Sequence, residues 1–446
     1  MFPAFRLWAD AILAGIVVFS GVVFAAIRAR RHDRNGARQI LVLDASYTLE
    51  TVRSRGLEQA ILARDLGGYF EHVYSVHPLV GADQSQVGHV PHGSPRTTLF
   101  ADRHTFIEGR IAQTRALRRL PLTNFALAQA TLLALLTRLL SQRPVVAIRV
   151  GDPYYQGLVG LFLARRFSLP LAVRINGNYD AIYESIGRPA YPKIFRFRWI
   201  EKRIDRFVLP RTDLVIGSNR NALEFALANG ARSNRSVTVP YGSLIHPIHF
   251  TDPADRPAPP REWGLGDSPY LLSIGRLEPV KHPEDVIRAL SKLAPMHPEL
   301  RAVLIGDGSL QEDLSVLADS IGVLERVVFA GSRDQETIAR AAAGASVIVA
   351  PMAGRALVEA CLSATPVVAY DTDWHAELIA PDAGVLVSFG AVDEMADAVH
   401  RLLMDPTLQQ RMGEQGRRVA LERMSPDRLI ADERAAFEAM LAAWHT

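Results

Sequence analysis

Tyr270-Leu-Leu-Ser-Ile-Gly-Arg-Leu-Glu-Pro-Val-Lys281 decides how this chain is read. An apolar run ends in a glycine, and a loop carrying Arg276, Pro279 and Lys281 leads into a helical pattern from Glu284 to Leu293. A buried strand feeding a helix through a short loop is the repeating unit of a parallel sheet. The unit recurs downstream, with apolar runs at Ala302 to Ile305, Val327 to Ala330, Ser346 to Ala350, Pro366 to Tyr370 and Val385 to Val387 separated by helix-length segments. Upstream, Gln39 to Leu43, His72 to Val76, Val145 to Val150, Leu171 to Ile175 and Leu214 to Gly217 alternate in the same way. Between the two sets, Ile245 to Pro269 holds six prolines and sustains no regular element. The expectation is an α/β protein with two Rossmann-like domains facing a cleft. The first spans 39–245, a linker 246–269, the second 270–425, and a helical tail over 426–446 packs back on the first.

A chain of 446 residues is too long for one ordinary core. Cys361 is the single cysteine, which excludes an internal disulfide and fits a reducing compartment. The net charge of +3 conceals a division: residues 1–250 hold 32 Lys and Arg against 17 Asp and Glu, a balance of +15, and the rest holds 18 against 30, a balance of −12. A basic half suits nucleic acid or an anionic membrane surface, and the N-terminus favours the membrane. Ala11 to Ile27 is apolar or small throughout, and Arg28, Arg30, Arg31, Arg34 and Arg38 follow. That is a span with a positive cytoplasmic flank, so a single-pass inner-membrane anchor over 9–27 is expected, with the domains in the cytoplasm and no nucleic-acid partner. A cleaved signal peptide is the rival, although the arginine cluster lies after the apolar run, where cleavage would need small residues.

Open parallel sheets bind ligands at the carboxyl ends of their strands. Arg276 and Lys281 leave such an end after Gly275. Gly306-Asp-Gly308 ends another strand, where backbone N–H groups can approach a phosphate, although Gln311 stands where a dinucleotide fingerprint has its third glycine. Glu359 sits among Leu357, Val358, Ala360 and Leu362, and a carboxylate in apolar company needs a partner. Fixed cations for a diphosphate and a carboxylate for ribose hydroxyls together fit a nucleotide. The alternative for each residue alone is a solvated loop or helix charge. The histidines are scattered, so neither a metal nor another cofactor is expected.

In order and spacing, Ser273-Ile-Gly-Arg-Leu-Glu-Pro-Val-Lys281, Leu304-Ile-Gly-Asp-Gly308, Arg326-Val-Val-Phe-Ala-Gly331, Val349-Ala-Pro351, Leu357-Val-Glu-Ala360 and Pro366-Val-Val-Ala369 resemble the donor domain of retaining glycosyltransferases of the GT-B fold, family 4. The resemblance implies that Arg276 and Lys281 bind the donor diphosphate and assist its departure, and that the residue matching Glu359 holds the ribose. It implies metal-independent transfer with retention of configuration. Two departures stand out. Family members carry a first glutamate where this chain has Pro351, so Arg355 and the helix start are candidates to take over near the sugar. Many relatives also place a histidine where Asn176 stands. Asn176 is therefore either a sugar contact or part of an Asn-Gly turn.

In the first domain, Arg53 and Arg55 follow the first strand and precede a helix expected from Gly56 to Leu66, where they are candidates to meet phosphate of the donor or of a lipid-linked acceptor. Arg110, Arg115, Arg118 and Arg119, and separately Arg196, Arg198, Lys202, Arg203 and Arg206, form two arginine-rich stretches expected to be helical. Interleaved with apolar residues, they suit a membrane interface or a lipid-linked acceptor, and equally a solvated face of a packing helix. Asp152 is open between an acceptor-side base and a structural carboxylate. Leu122 to Leu140 is apolar but broken by Asn124, Gln129 and Arg138, which favours a buried or interfacial helix over a second span. The expected function is a membrane-anchored glycosyltransferase moving sugar from a nucleotide-diphosphate sugar to a lipid-linked or surface-glycan acceptor. A nucleotide-sugar epimerase or a non-catalytic scaffold of the same fold are the alternatives.

Overall fold

The computed structural model describes residues 13–14, 38–44, 47–54, 56–80, 92–191, 194–240, 245–256, 258–372, 374–379 and 381–445. The anchor expected over 9–27 lies outside them apart from Leu13 and Ala14, and so does Arg55.

The first sheet has eight strands: β1 Gln39–Leu43, β2 His72–His77, β3 Arg96–Ala101, β4 His104–Glu108, β5 Val145–Val150, β6 Leu171–Ile175, β7 Leu214–Gly217 and β8 Ser236–Thr238. Their order is β3-β4-β2-β1-β5-β6-β7-β8. All pairings are parallel except β3 with β4. The second sheet has β9 Tyr270–Ile274, β10 Arg301–Ile305, β11 Val327–Gly331, β12 Val347–Val349, β13 Val367–Tyr370 and β14 Val385–Val387, ordered β11-β10-β9-β12-β13-β14 and parallel throughout. Helices cover these sheets, so central strands such as β1 and β13 are buried along nearly their whole length.

Each sheet has a topological switch point, between β1 and β5 in the first and between β9 and β12 in the second. Crossover connections run in opposite directions from such a point, leaving a crevice at the carboxyl ends of the two strands. The two crevices are where functional side chains are to be sought.

The helix Pro426–His445 returns to the first domain, where Phe437 meets Phe70 edge to face at 5.4 Å. One apolar core is continuous from Ile40 and Phe70 through Phe437 to Leu272 and Leu357. The linker is a chain of short 3₁₀ turns, Pro247–Phe250, Pro253–Asp255 and Arg261–Trp263. Arg256 and Arg417 hold it by donating to the carbonyls of Ile248, Phe250 and Thr251 at 3.0–3.2 Å.

Helix Pro121–Gln142 is the one helix among the described residues long and apolar enough to cross a membrane. Its Leu132, Leu136 and Leu140 are buried in the core of the first domain. Its polar interruptions are used locally: Asn124 accepts from the N–H groups of Gln113 at 2.7 Å and Thr114 at 3.0 Å, and Gln129 donates to Arg110 O at 2.7 Å. The Arg110–Arg119 stretch is not a helix. Arg110 is buried against Glu108, and only Arg115–Leu117 makes a single 3₁₀ turn before Pro121 opens the long helix.

Candidate functional site

At the switch point of the second sheet, an open pocket of about 310 Å³ is lined by the β9 loop, from Ser273 to Leu277 with Lys281, and by Ala350, Pro351, Met352 and Ala353 after β12. Arg276 is exposed at its edge. Lys281 closes a 3₁₀ turn, Pro279–Lys281, started by Pro279, whose fixed φ suits the first position. Its Nζ lies 3.9 Å from the Cβ position of Gly354, immediately before the helix Arg355–Leu362. The structure thus brings Gly275, Arg276 and Lys281 together with the start of the helix that carries Glu359.

Glu359 is 3% exposed. Its Oε1 lies 3.1 Å from Arg355 Nε, one helical turn earlier, and makes no hydrogen bond. Behind it is His249, fully buried, with Nε2 2.9 Å from Gln335 Oε1. Burial pushes the His249 imidazole below its usual range, and the nearby Glu359 charge opposes that shift. Arg355 also borders a narrow interdomain pocket with Gly56, Leu57, Ala60, His246 and Gln335. Pro351, where the resemblance implied a glutamate, forms part of the pocket wall. The loop after it is fixed by His375, buried with its ring nitrogens 2.8 Å from Tyr370 O and 2.9 Å from Ala353 O.

Gly306 does not present its N–H to a phosphate, because that group donates to Gly331 O at 3.0 Å. Gly306 and Gly308 serve a different purpose. A Cβ at Gly306, where φ is +142°, would stand 1.9 Å from Gly275 O, and one at Gly308 would stand 2.1 Å from Leu277 O. Their bare backbones let the two loops interlock through Gly275 N–H to Ile305 O, Leu277 N–H to Asp307 O and Leu310 N–H to Leu277 O, each 3.0 Å. Glu278 adds a bond from Ser309 Oγ at 2.8 Å. The Gly306-Asp-Gly308 turn therefore holds the Arg276 loop in place.

Next to Lys281, the ligating atoms of His282, Glu284 and Asp285 lie within 4.8 Å of one another, a grouping that their spacing in sequence did not suggest. Asp285 already accepts from Arg288 at 2.8 Å and from Tyr370 Oη at 2.7 Å.

The first sheet's switch point holds a second pocket, of about 440 Å³, that sequence reasoning missed except for Asn176. Asp44 after β1, Arg149 in β5, Arg174 in β6, Arg64 and Glu433 line it with Asn176. Arg64 pairs with Asp44 at 2.6 Å, and Glu433 from the returning helix pairs with Arg149 and Arg174 at 3.1 Å each. Asn176 Nδ2 donates to Gly151 O at 3.3 Å. The available signal was an arginine near the end of an otherwise apolar strand, in Ala147-Ile-Arg-Val150 and again in Ala172-Val-Arg-Ile175.

Arg198 is not a surface or acceptor-side group. It is buried, pairs with Asp180 and Glu201 at 2.8 Å each, and donates to Tyr154 Oη at 2.8 Å. Arg196 and Arg53 are exposed. Asp152 is a buried carboxylate, accepting from Tyr154 N–H at 2.8 Å and Tyr191 Oη at 2.5 Å. Burial is the main cause that lifts its carboxyl to about 7.

Residues 255–419 match the family model described as glycosyl transferases group 1. Alpha-D-kanosaminyltransferase of Streptomyces kanamyceticus is 34% identical over 157 residues, covering 34% of this chain and 41% of that protein. A GDP-mannose-dependent alpha-(1-6)-phosphatidylinositol monomannoside mannosyltransferase of Mycolicibacterium smegmatis is 32% identical over 183 residues, covering 38% and 48%. The chain thus spans about half the length of the curated relatives it matches. Among solved structures, sucrose-phosphate synthase of Thermosynechococcus elongatus superposes with a TM-score of 0.68 at 17% identity, over 91% of this chain and all of that one. Anabaena HepE in complex with UDP and glucose gives 0.66 at 18%, over 89% and 99%. Residues 255–419 are thus similar to the glycosyl transferases group 1 model, in a chain with the two-domain GT-B fold.

Proposed function

We propose that the protein is a glycosyltransferase that moves a sugar, with retention of configuration, from a nucleotide-diphosphate sugar to a lipid-linked or surface-glycan acceptor at the cytoplasmic face of a membrane, to which residues 9–27 anchor it. The observation that carries the reading is the convergence of Gly275, Arg276 and Lys281 on the start of the Glu359 helix at a switch-point crevice. As the bond to the diphosphate breaks, negative charge grows on the leaving oxygen. On this reading Arg276, Lys281 and the positive end of the helix Arg355–Leu362 stabilise that charge, a preorganised donor contributing about 3 kcal/mol and a helix end about 1 kcal/mol. Glu359, with an oxygen that makes no hydrogen bond, accepts from the ribose hydroxyls. The bound UDP and glucose of the HepE structure support the nucleotide-sugar part of the reading. The phosphatidylinositol mannoside acceptors in the relatives' names support the lipid-linked part.

Support for the membrane also comes from the helix Arg198–Val208. Its inner side carries Arg198, Glu201 and Asp205, while Trp199 and Phe207 are exposed, with Arg203 over Trp199 at 5.0 Å and Arg211 over Phe207 at 4.4 Å. Aromatic rings under guanidinium groups suit the headgroup region of an anionic bilayer. The test is incubation of the full-length protein with a panel of nucleotide sugars and membrane lipid extract. Sugar transfer into lipid supports the proposal, isomerised sugar without acceptor replaces it with an epimerase, and no binding of any nucleotide removes it.

A further inference from the structure

We infer that the first-domain pocket at the β1–β5 switch point is a binding site for a phosphate ester on the acceptor. The inference rests on the glycosyl-transfer reading above and adds the chemical class of the acceptor group.

Arg64, Arg149 and Arg174 line one pocket in which Asp44 and Glu433 are the counter-charges among the described residues, so three guanidiniums there face two carboxylates. All three arginines are at least nine-tenths buried. Buried charge is costly unless it is paired, and an excess of one sign is costlier still. The Arg64 guanidinium is pushed down first by burial and further by the neighbouring Arg149 charge, against the pull of Asp44 and Glu433. A fold gains nothing in stability from holding like charges together in a pocket, but such an arrangement is preorganised for an anion.

A second observation points to the same ligand. Arg64 Nη2 is satisfied by Asp44, whereas its Nη1 is buried and has no hydrogen-bond partner. An unmet guanidinium N–H beside two more arginines suits a tetrahedral oxyanion, which accepts several charge-assisted bonds at once. Asn176 adds an amide on the exposed wall, a suitable contact for the sugar or ester carbon beside the phosphate. Position separates this group from the donor's diphosphate. The donor cations Arg276 and Lys281 stand at the switch point of the other sheet.

The test begins with Arg276→Ala/Lys281→Ala, which removes the second-domain cations and makes the measurement independent of transfer. Calorimetric titration of this variant with inorganic phosphate is expected to show saturable binding. Adding Arg64→Met is expected to weaken it by about tenfold or more, the loss of one charge-assisted hydrogen bond. Glu433→Gln is expected to strengthen it, because a competing carboxylate is removed. Should Arg64→Met fail to fold, Asn176→Asp, which places a negative charge on the exposed wall, is expected to abolish binding. Competition then identifies the source. Displacement of phosphate by glycerol phosphate as well as by a prenyl phosphate in detergent micelles supports a soluble phosphate ester, and displacement by the prenyl phosphate alone supports a lipid headgroup. No phosphate binding, binding indifferent to Arg64→Met and Asn176→Asp, or displacement by glucuronate alone overturns the inference. Each can occur while sugar transfer by the native protein stands.

Discussion

Three glycines around the second-domain pocket, Gly275, Gly306 and Gly308, look alike in sequence and are expected to respond oppositely to alanine. At Gly306 the new Cβ would sit 1.9 Å from Gly275 O, and its φ of +142° is one that residues with side chains rarely adopt. At Gly308 the overlap is with Leu277 O at 2.1 Å. Both contacts are to backbone, which cannot swing away as a side-chain tip can. Relief requires breaking the Gly275 N–H to Ile305 O and Leu277 N–H to Asp307 O bonds that lock the loops. Strain of about 1–3 kcal/mol, together with about 1 kcal/mol for a lost hydrogen bond, gives roughly 3 kcal/mol at each site. In a domain of this size that lowers the melting temperature by about 6–12 °C. Gly275 differs, because a Cβ there meets nothing within 4 Å. Gly275→Ala is expected to leave stability within about 0.5 kcal/mol of the native protein, as surface substitutions do. Its effect should be on nucleotide affinity, since the methyl group enters the space through which a diphosphate approaches the backbone. Thermal unfolding by calorimetry and UDP titration of the three variants form the assay. If Gly275→Ala destabilises as much as the others, or Gly306→Ala and Gly308→Ala are both thermally silent, the division between scaffold and ligand-facing glycines is wrong.

Arg276→Ala and Lys281→Ala should each lower sugar transfer about 100-fold, the loss of one preorganised charge, with unchanged melting in the case of exposed Arg276. Native-like transfer by both would remove the diphosphate assignment. Glu359→Gln should raise the donor KM about tenfold, consistent with weakening a hydrogen bond to a charged group, with little change in kcat. Steady-state kinetics separate the two constants. Arg198→Ala should destabilise the fold by about 3–5 kcal/mol, because it strands buried Glu201 and Asp205. Arg196→Ala and Trp199→Ala should leave melting unchanged and reduce binding to anionic vesicles, as read by co-sedimentation. The Asp152 carboxyl, held at about 7 in the folded state, has an ordinary value of about 3.9 once unfolded, so folding takes up a proton between these values. Stability contributed by this group is therefore full at the acid end, falls as pH rises at no more than about 1.4 kcal/mol per pH unit, and levels off above its folded-state pKa. Asp152→Asn should flatten that slope between mildly acidic and neutral pH in urea titrations, and an unchanged slope would assign the titration elsewhere.

The second domain was legible because each of its strands is an apolar run at a crevice or between helices, with glycine or proline marking several of the ends. The edge strand β3 was not, because one of its faces is left to solvent, and its partner β4, although buried, has only Phe106 and Ile107 as an apolar run. Arg96-Thr-Thr-Leu-Phe-Ala101 is mostly polar or exposed, with Leu99 68% exposed, and carries no core signal. Strand β8 has three residues at the other edge and was missed for the same reason. In the candidate site, Arg276, Lys281 and Glu359 are proposed from a pattern that lies within one domain. The first-domain pocket could not, because its logic is tertiary. Glu433 reaches Arg174 across 259 residues of chain, and nothing local to either residue announces the other.

The charge division of the chain takes on a different meaning once the side chains are placed. An excess of +15 over residues 1–250 reads as an electrostatic surface. Yet Arg64, Arg110, Arg149, Arg174 and Arg198 are buried, and one of the carboxylates that neutralise them, Glu433, comes from the acidic half. Part of the asymmetry is therefore an internal exchange: the basic first domain is tied to the acidic tail that folds back on it. Some of the cations left at the surface fall into clusters with their own neighbours, Arg115, Arg118 and Arg119 around a shallow depression with His92, and Arg196 and Arg203 over Phe197 and Trp199. An arginine count cannot separate these populations, because a guanidinium spent on a buried carboxylate has no field left for a membrane. The inverted helix Arg198–Val208, with its ion pairs inward and its rings outward, is therefore stronger support for an interfacial role than net charge. Arg198, Glu201 and Asp205 on its inner side are spent on one another inside the protein, whereas its exposed aromatic area gains only by contact with something apolar.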